Sequence, residues 1–241
     1  MQMTAYNLEI KNLNKFYGKI HALKNFNFKA KKGEIIALFG PNGAGKSTLM
    51  NMISGFLAPS DGEIFVLGQN IRDDLIFAKA NIGFLPEGAP MYPDMTVEAF
   101  LRYMAEFCNA HKGKVDEVIE IANLEAVKNQ KIETLSKGYA RRVGFAQSIL
   151  ANPPVLLLDE PTDGLDPNQK EHIRKLIKEI GKNKTILIST HLLEEAESVC
   201  NRIIIMSKGE IKADGTLKEI LKETGKKNIK NAFLQLTTSQ D

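Results

Sequence analysis

The chain has 241 residues, enough for one large domain or two small ones, and its 43% of hydrophobic residues excludes a disordered chain. Thirty-two basic against 29 acidic residues give a net charge of +3, which is too weak to indicate a nucleic-acid partner. No stretch approaches the roughly 18 consecutive apolar residues of a membrane-spanning helix, and the first residues lack the apolar core of a signal peptide. Cys108 and Cys200 have no metal-ligand spacing, so we expect both to be reduced thiols of a cytosolic protein.

The N-terminal part predicts mainly β-strands. Residues 6–18 and 22–33 alternate apolar and polar side chains, as half-buried antiparallel strands do. Residues 33–40 form a short apolar run between glycines, which is typical of a fully buried strand. Helical spacing follows over residues 45–56, and residues 61–69 return to a strand pattern.

The middle of the chain predicts helices. Thr96 is a plausible N-cap for a helix whose apolar stripe reaches Cys108, and further helices are predicted near residues 114–123 and 137–151. We therefore expect a helical block inside a chain that otherwise has strand character.

The C-terminal part predicts an α/β core. Strand and helix patterns alternate over residues 155–209, which implies right-handed crossovers and a mainly parallel sheet. The lysine-rich stretch 222–231 predicts a mobile, solvated connection.

The stretch GPNGAGKST fits the P-loop pattern G-x-x-x-x-G-K-[ST], and it lies between a buried strand and an amphipathic helix. Its glycines allow backbone N–H groups to close around phosphate oxygens, and the helix N-terminus adds partial positive charge. Lys46 can reach the β- and γ-phosphates and Ser47 can ligate Mg²⁺. The agreement of strand, motif and helix disfavours a merely structural glycine turn. We expect the whole motif to contact a nucleotide: Gly40, Pro41, Asn42, Gly43, Ala44, Gly45, Lys46, Ser47 and Thr48.

The stretch VLLLDEP supplies an acidic pair. Four apolar residues predict a buried strand that presents Asp159 and Glu160 at its carboxyl end, where open α/β sheets bind ligands. Asp159 is expected to hold Mg²⁺, directly or through water, and Glu160 to polarise an attacking water. Taken alone, the pair is equally compatible with a solvated loop; the P-loop favours hydrolysis.

In this order, the P-loop, LSKGYARR, LLLDEP, TDGLD and STH resemble the motifs of the ATP-binding cassette (ABC) ATPases. The resemblance covers nearly all of the chain. It implies an α/β fold with a P-loop NTPase (RecA-like) core, an N-terminal antiparallel β subdomain and an inserted α-helical subdomain. Within a single ABC ATPase domain, it assigns residues 1–87 and 154–225 to the core with its β subdomain, 88–153 to the helical signature subdomain and 226–241 to a C-terminal tail.

The resemblance gives LSKGYARR the role of the signature motif. It implies that Ser136, Lys137 and Gly138 face the γ-phosphate of ATP held by a second subunit, at a positive helix end. Ser136 can also be an ordinary N-cap of its own helix. Lys137 departs from the common motif, which has glycine at this position.

Other positions follow from the same resemblance. Tyr17 matches the aromatic that stacks on adenine, with a buried strand aromatic as the alternative. His191 matches the switch histidine that contacts the γ-phosphate. Asp166 matches the D-loop, which crosses the dimer interface, and capping of the next helix is its alternative role. Glu87 stands where glutamine is usual, linking Mg²⁺ and the attacking water to the helical insert.

The resemblance implies the ATP-binding and ATP-hydrolysing subunit of an ABC transporter, with ATP and Mg²⁺ as its ligands. Two copies, or this chain and a similar ATPase, would clamp two ATP molecules. The dimer would then move separate transmembrane permease subunits through contacts near residues 87–96, from the cytoplasmic face of the cell membrane. LPE, LSKGYARR and the stretch IKNAFLQLT resemble exporter ATPases of the drug, polysaccharide and gliding-motility type.

Two alternatives belong to other classes. A soluble ABC ATPase that serves assembly, as in iron–sulfur cluster biogenesis, would need no membrane partner, and the motifs do not exclude it. An ABC protein that handles nucleic acid would need a long coiled-coil insert, a basic groove or tandem cassettes, and the sequence shows none of these. We therefore expect no nucleic-acid partner.

Overall fold

A computed structural model describes residues 6–238 of the chain. The strands are β1 (Leu8–Tyr17), β2 (Ile20–Ala30), β3 (Ile35–Phe39), β4 (Asp61–Val66), β5 (Gln69–Asn70), β6 (Ile82–Leu85), β7 (Val155–Asp159), β8 (Thr185–Thr190), β9 (Arg202–Ser207) and β10 (Glu210–Gly215). The helices are α1 (Lys46–Ile53), α2 (Leu75–Ala80), α3 (Val97–Phe107), α4 (Lys114–Ile121), α5 (Lys137–Ile149), α6 (Pro167–Gly181), α7 (Leu193–Val199), α8 (Leu217–Thr224) and α9 (Ile229–Thr238). Short 3₁₀ turns lie at Glu125–Val127 and Ile132–Thr134.

The N-terminal strands form an antiparallel sheet in the order β2-β1-β4-β5. β1 and β2 form a hairpin that pairs Leu8 with Ala30 and Tyr17 with Ile20. The buried side chains of β1, Leu8, Ile10 and Leu13, pack against α1 and the second sheet. The alternation seen in the sequence therefore describes one buried and one solvated face, as expected for antiparallel strands.

The second sheet has six strands in the order β10-β9-β3-β8-β7-β6. Its neighbours run parallel except for β10, which joins β9 antiparallel. Every residue of β3 and β7 is buried because helices and the other sheet cover both faces. The mainly parallel α/β core predicted from the sequence is confirmed, and the carboxyl ends of β3, β7 and β8 meet at one edge.

The predicted helical block consists of α3, α4 and α5. Thr96 caps α3 by accepting a hydrogen bond from Ala99 N at 3.2 Å. Phe100, Val118 and Val143 share a buried cluster with side chains of β6 and β7, so the block packs directly on the sheet.

The C-terminal segment differs from the sequence prediction. The solvated connection expected over residues 222–231 is only four residues long, 225–228, because α8 runs to Thr224 and α9 begins at Ile229. The apolar face of α9 explains the difference: Ile229 and Ala232 are buried, and the ring of Phe233 lies 4.8 Å from that of Phe39. Across residues 6–238, the structure contains no helix with the length and apolar character needed to span a bilayer.

Candidate active site

The P-loop connects β3 to α1. Gly45 stands at the N-cap of α1 with φ 102°, a left-handed conformation that favours glycine, and a Cβ there would lie 2.9 Å from Ala22 O. A Cβ on Gly40 would lie 2.4 Å from Met206 O, so the loop also needs glycine where it passes β9. Gly45 offers no side chain to cap α1, which leaves the N–H groups of the first turn available to an anion.

Lys46 lies across the loop that precedes it. Its Nζ donates hydrogen bonds to the carbonyl oxygens of Gly40, at 2.7 Å, and Pro41, at 3.1 Å. Burial lowers the pKa of Lys46, and the nearby carboxylates of Glu160 and Asp159 oppose this effect. The ammonium group is thus held by carbonyls that a phosphate could replace as its partners.

The acidic pair lies at the carboxyl end of β7, as predicted. Asp159 is buried, whereas Glu160 is half-buried and has a left-handed backbone with φ 50°. The N–H of Glu160 donates to Ser189 O at 2.9 Å, and its Oε1 lies 2.8 Å from His191 Nδ1. A carboxylate only accepts hydrogen bonds, so Nδ1–H of His191 donates in this pair.

A cavity of about 820 Å³ joins the P-loop to the acidic pair. Its lining consists of Ala22, Asn42, Gly43, Gly45, Lys46, Ser47, Thr48, Glu87, Asp159, Glu160, Asp163, Ser189 and His191. The structure therefore brings together most of the residues expected to handle ATP. Gly40, Pro41 and Ala44 belong to the same loop without lining the cavity, and Ala44 is buried.

The oxygen donors of this cavity suit Mg²⁺. Ser47, Asp159 and Glu87 line it together. Within residues 6–238 no three His, Cys, Asp or Glu side chains form a group that could hold a metal by themselves. Mg²⁺ commonly takes one or two carboxylates together with waters and substrate phosphates, so the residues present fit this ion.

Tyr17 lies apart from these residues, at the exposed end of β1. Its side chain is 47% exposed, which rules out the buried strand aromatic considered as the alternative. Tyr17 does not line the cavity described above, and Lys15 Nζ lies 5.3 Å from its ring centroid. Stacking on adenine stays a prediction for this residue.

The signature stretch forms the N-terminus of α5. Ser136 is the N-cap and accepts a hydrogen bond from Tyr139 N at 3.3 Å. Lys137 Nζ forms an ion pair with Asp163 at 2.7 Å, and this contact lowers the pKa of Asp163. Gly138 is buried against α6, where an added Cβ would lie 2.6 Å from Gln169 Oε1. The glycine therefore allows a close approach within this chain.

Asp166 has its alternative role in this structure. Its side chain caps α6 by accepting a hydrogen bond from Gln169 N at 2.9 Å. The side chain is exposed, and a dimer-interface role stays a prediction.

Two residues near the acidic pair escaped the sequence analysis. Asp163 lines the cavity and pairs with Lys137, whereas Arg141 reaches from α5 to backbone carbonyls beside Glu160 and Glu87. The only sequence signal for Arg141 is the paired arginine in LSKGYARR, and its neighbour Arg142 instead donates to Asn123 O at 2.8 Å within the helical block.

The family model described as ABC transporter matches residues 23–163. The chain is 36% identical over 237 residues to the linearmycin resistance ATP-binding protein LnrL of Bacillus subtilis, covering 96% of this chain and 75% of that protein. It resembles a solved ATP-binding subunit of an ABC transporter with a TM-score of 0.89 and 30% identity, over 95% of this chain and 98% of the other.

A second solved structure is the dimeric ATP-binding cassette MJ0796 in a post-hydrolysis state bound to ADP and Pi. It has a TM-score of 0.81 and 31% identity, and the match covers 87% of this chain and 98% of that one. The family model spans more than half of the chain, and the P-loop and the acidic pair line one cavity. The chain therefore belongs to the ABC transporter family, as an ATP-binding subunit that hydrolyses ATP.

Proposed function

We propose that Glu160 is the general base of ATP hydrolysis and that His191 orients it. The observation that carries this proposal is the 2.8 Å contact between His191 Nδ1 and Glu160 Oε1 at the wall of the P-loop cavity. A carboxylate at this position can accept a proton from a water that attacks the terminal phosphate. Histidine fixes one of its oxygens and leaves the other free to face the water.

The P-loop and its neighbours bind and orient the nucleotide. Backbone N–H groups at the start of α1 bind phosphate oxygens, and Lys46 exchanges its carbonyl partners for the β- and γ-phosphates. Ser47, Asp159 and Glu87 would hold Mg²⁺, which would neutralise charge on the terminal phosphates. Tyr17 supplies a platform for the base at the exposed end of β1.

We infer that two copies of the chain, or this chain and a similar ATPase, enclose two ATP molecules. The solved dimeric cassette provides the support from a relative. In this chain Ser136 is exposed at the N-terminus of a helix whose positive end can face an anion on a second subunit. Lys137 pairs with Asp163 of its own chain, so Ser136 and the backbone of Gly138 are the better candidates for direct phosphate contact.

We propose that the cassette works with separate membrane subunits at the inner face of the cell membrane and powers export. The linearmycin resistance relative supports this direction, because resistance fits the removal of a compound from the cell. An apolar groove of about 480 Å³, lined by Ile76, Phe84, Met104 and Phe107 among others, offers a docking surface for a helix of such a partner.

The groove is continuous with the loop expected to carry the membrane contact. The ring of Tyr92 lies 5.5 Å from that of Tyr103, which in turn lies 4.9 Å from Phe107. Tyr92 and Phe107 are both largely exposed. These aromatic rings connect the segment after Glu87 to the groove. A helix that moves in the groove would therefore displace the segment that leads to the nucleotide cavity.

The test of this function is the Glu160→Gln variant. We expect it to bind ATP normally and to hydrolyse it about 10²–10⁴-fold more slowly, the range for loss of a general base. With Mg-ATP it should be a dimer by light scattering, and with ADP a monomer, because ADP offers the signature helix no γ-phosphate. Hydrolysis at the wild-type rate would refute the role of Glu160.

A second substitution tests the signature helix. Adding Ser136→Arg places a bulky side chain at the start of α5, so the ATP-dependent dimer should be lost while ATP binding by each P-loop persists. If the double variant still dimerises with ATP, Ser136 is only a helix cap. Co-purification of the wild-type chain with a polytopic membrane protein then separates the transporter from an assembly ATPase without a channel.

A further inference from the structure

Arg141 joins the helical block to the nucleotide core. It lies in the second turn of α5, and its guanidinium extends beyond the helical block and contacts backbone carbonyls at the ends of two strands. Nη1 donates to Pro86 O at 2.7 Å, directly after β6, and Nη2 donates to Glu160 O at 2.8 Å. Nη2 also donates to Asp159 O. One planar group therefore spans the two strand ends that carry Glu87 and the acidic pair.

The surroundings favour a fixed guanidinium. Burial lowers the pKa of Arg141, whereas the nearby carboxylates, of which Asp159 has the largest effect, raise it. Arginine keeps its charge in proteins, so the group stays a cation beside these acids. The rigid fork of its donors suits several fixed acceptors better than a flexible ammonium does.

The backbone that Arg141 contacts is unusual. Glu160 has φ 50°, a conformation that costs energy in a residue with a Cβ and persists only where neighbours enforce it. Its N–H donates to Ser189 O on β8, and its carbonyl accepts from Arg141, so the peptide groups on both sides of its Cα are held. This arrangement directs the Glu160 side chain toward His191.

We propose that Arg141 is a positioning residue for ATP hydrolysis: it ties the orientation of the helical block to the placement of Glu160. This inference rests on the proposed role of Glu160 as general base. Arg141 acts through backbone carbonyls and does not line the P-loop cavity, so it should affect turnover more than ATP affinity. Rotation of α5 would move the guanidinium and release the two strand ends together.

A double-mutant cycle on single-turnover ATP hydrolysis tests the proposal. We expect Arg141→Gln to lower the wild-type hydrolysis rate by about 10–100-fold with ATP affinity changed less than about threefold. In the Glu160→Gln background, the same substitution should lower the residual rate by less than about threefold, because the group that it positions is already absent. Equal losses in both backgrounds would overturn the inference, because Arg141 would then act independently of Glu160.

Two further variants separate positioning from stability. Arg174→Gln removes another buried arginine, which pairs with Glu194 between α6 and α7 and does not line the cavity. This control should lower the melting temperature and keep the hydrolysis rate within about twofold of the wild type. Arg141→Lys keeps the charge without the fork, so we expect an intermediate rate and the same non-additivity with Glu160→Gln. If Arg141→Gln does not fold, the double-mutant cycle is measured with Arg141→Lys instead.

A wild-type rate for Glu160→Gln alone would refute the role of Glu160, whatever Arg141 does. A slow Glu160→Gln with an unaffected Arg141→Gln would refute only the positioning role. The two failures are therefore distinguishable.

Discussion

Lys46 donates hydrogen bonds to two loop carbonyls, and in the proposed function a nucleotide phosphate takes their place. We expect Lys46→Ala to weaken ATP binding by about 10- to 100-fold, the range for loss of hydrogen bonds to a charged group. Titration calorimetry measures this change. Lys175→Ala, at an exposed site on α6, is the control and should bind ATP like the wild type. Equal affinity of Lys46→Ala and the control would contradict the P-loop assignment.

Tyr17 is expected to contact the base of the nucleotide rather than its phosphates. Because aromatic–base stacking is worth about 1–3 kcal/mol, Tyr17→Ala should lose that much binding free energy for ATP and GTP alike. Turnover at saturating ATP should change little. Phe107→Ala removes another exposed aromatic, far along the sequence on α3, and serves as the control in the same titrations. A fall in turnover with unchanged affinity would show that Tyr17 has no role as a platform.

The site residues were predictable where they belong to a motif whose strand, loop and helix are adjacent in the sequence. The P-loop lies between its strand and helix, and Glu160 and His191 follow neighbouring parallel strands, so their meeting at one sheet edge follows from chain order. The Lys137–Asp163 pair and the Arg141 contacts were not predictable. They join side chains and backbone carbonyls that come together only when α5 packs against the ends of β6 and β7.

Among secondary-structure elements, the long periodic ones were predicted and the short ones were missed. Thr96 and Ser136 both cap their helices as expected, because side-chain capping is a local interaction. β6 has only four residues and alternates buried with half-buried positions, too little pattern to identify a strand. α9 was missed because lysines and asparagines around Gly225 mask the apolar face that begins at Ile229.

In the proposed function, a partner helix would bind in the apolar groove between α2, β6 and α3. Phe107 and Ile76 are 69% and 85% exposed, so charged substitutions there need not disturb the core. We expect Ile76→Glu combined with Phe107→Glu to reduce co-purification with membrane subunits severalfold. The amount of membrane protein recovered on the tagged cassette measures the effect.

Leu234→Glu, at an exposed leucine on α9, is the matched control for that experiment and should leave recovery unchanged. Circular dichroism of all variants checks that they are folded. Full recovery with the doubly substituted groove would place the membrane contact elsewhere on the cassette.

The stability of the folded protein should depend on pH through one buried carboxyl group. Glu195 on α7 is fully buried, and burial raises its pKa; hydroxyls of Thr190 and Thr162 and the cation of Arg174 oppose the shift, while Glu160 adds to it. Below the ordinary value of 4.5, Glu195 is neutral in both the folded and the unfolded chain. As pH rises towards the folded-state pKa, Glu195 ionises in the unfolded chain but stays neutral in the folded one. The free energy of unfolding therefore decreases progressively over this pH range.

Glu195→Gln removes this dependence. We expect its free energy of unfolding to approach that of the wild type near pH 4 and to exceed it by about 1–3 kcal/mol at pH 8, because ionisation of Glu195 favours the unfolded wild-type chain there. Urea denaturation across this pH range measures the difference. Glu197→Gln, an exposed position on the same helix, should show no comparable trend. A difference independent of pH would mean that Glu195 does not titrate on unfolding.

The left-handed backbone of Glu160, together with its proposed role as general base, predicts a trade-off between ATP hydrolysis and thermal stability. Asparagine and glycine adopt a φ of 50° more easily than glutamate does. In a laboratory selection that rewards heat resistance and ignores turnover, this position should therefore drift to one of these two residues. The survivors would be better-folded proteins that can no longer release the energy of ATP. Thermostability engineering of this cassette should for that reason leave position 160 fixed and look for its gains in the exposed loops.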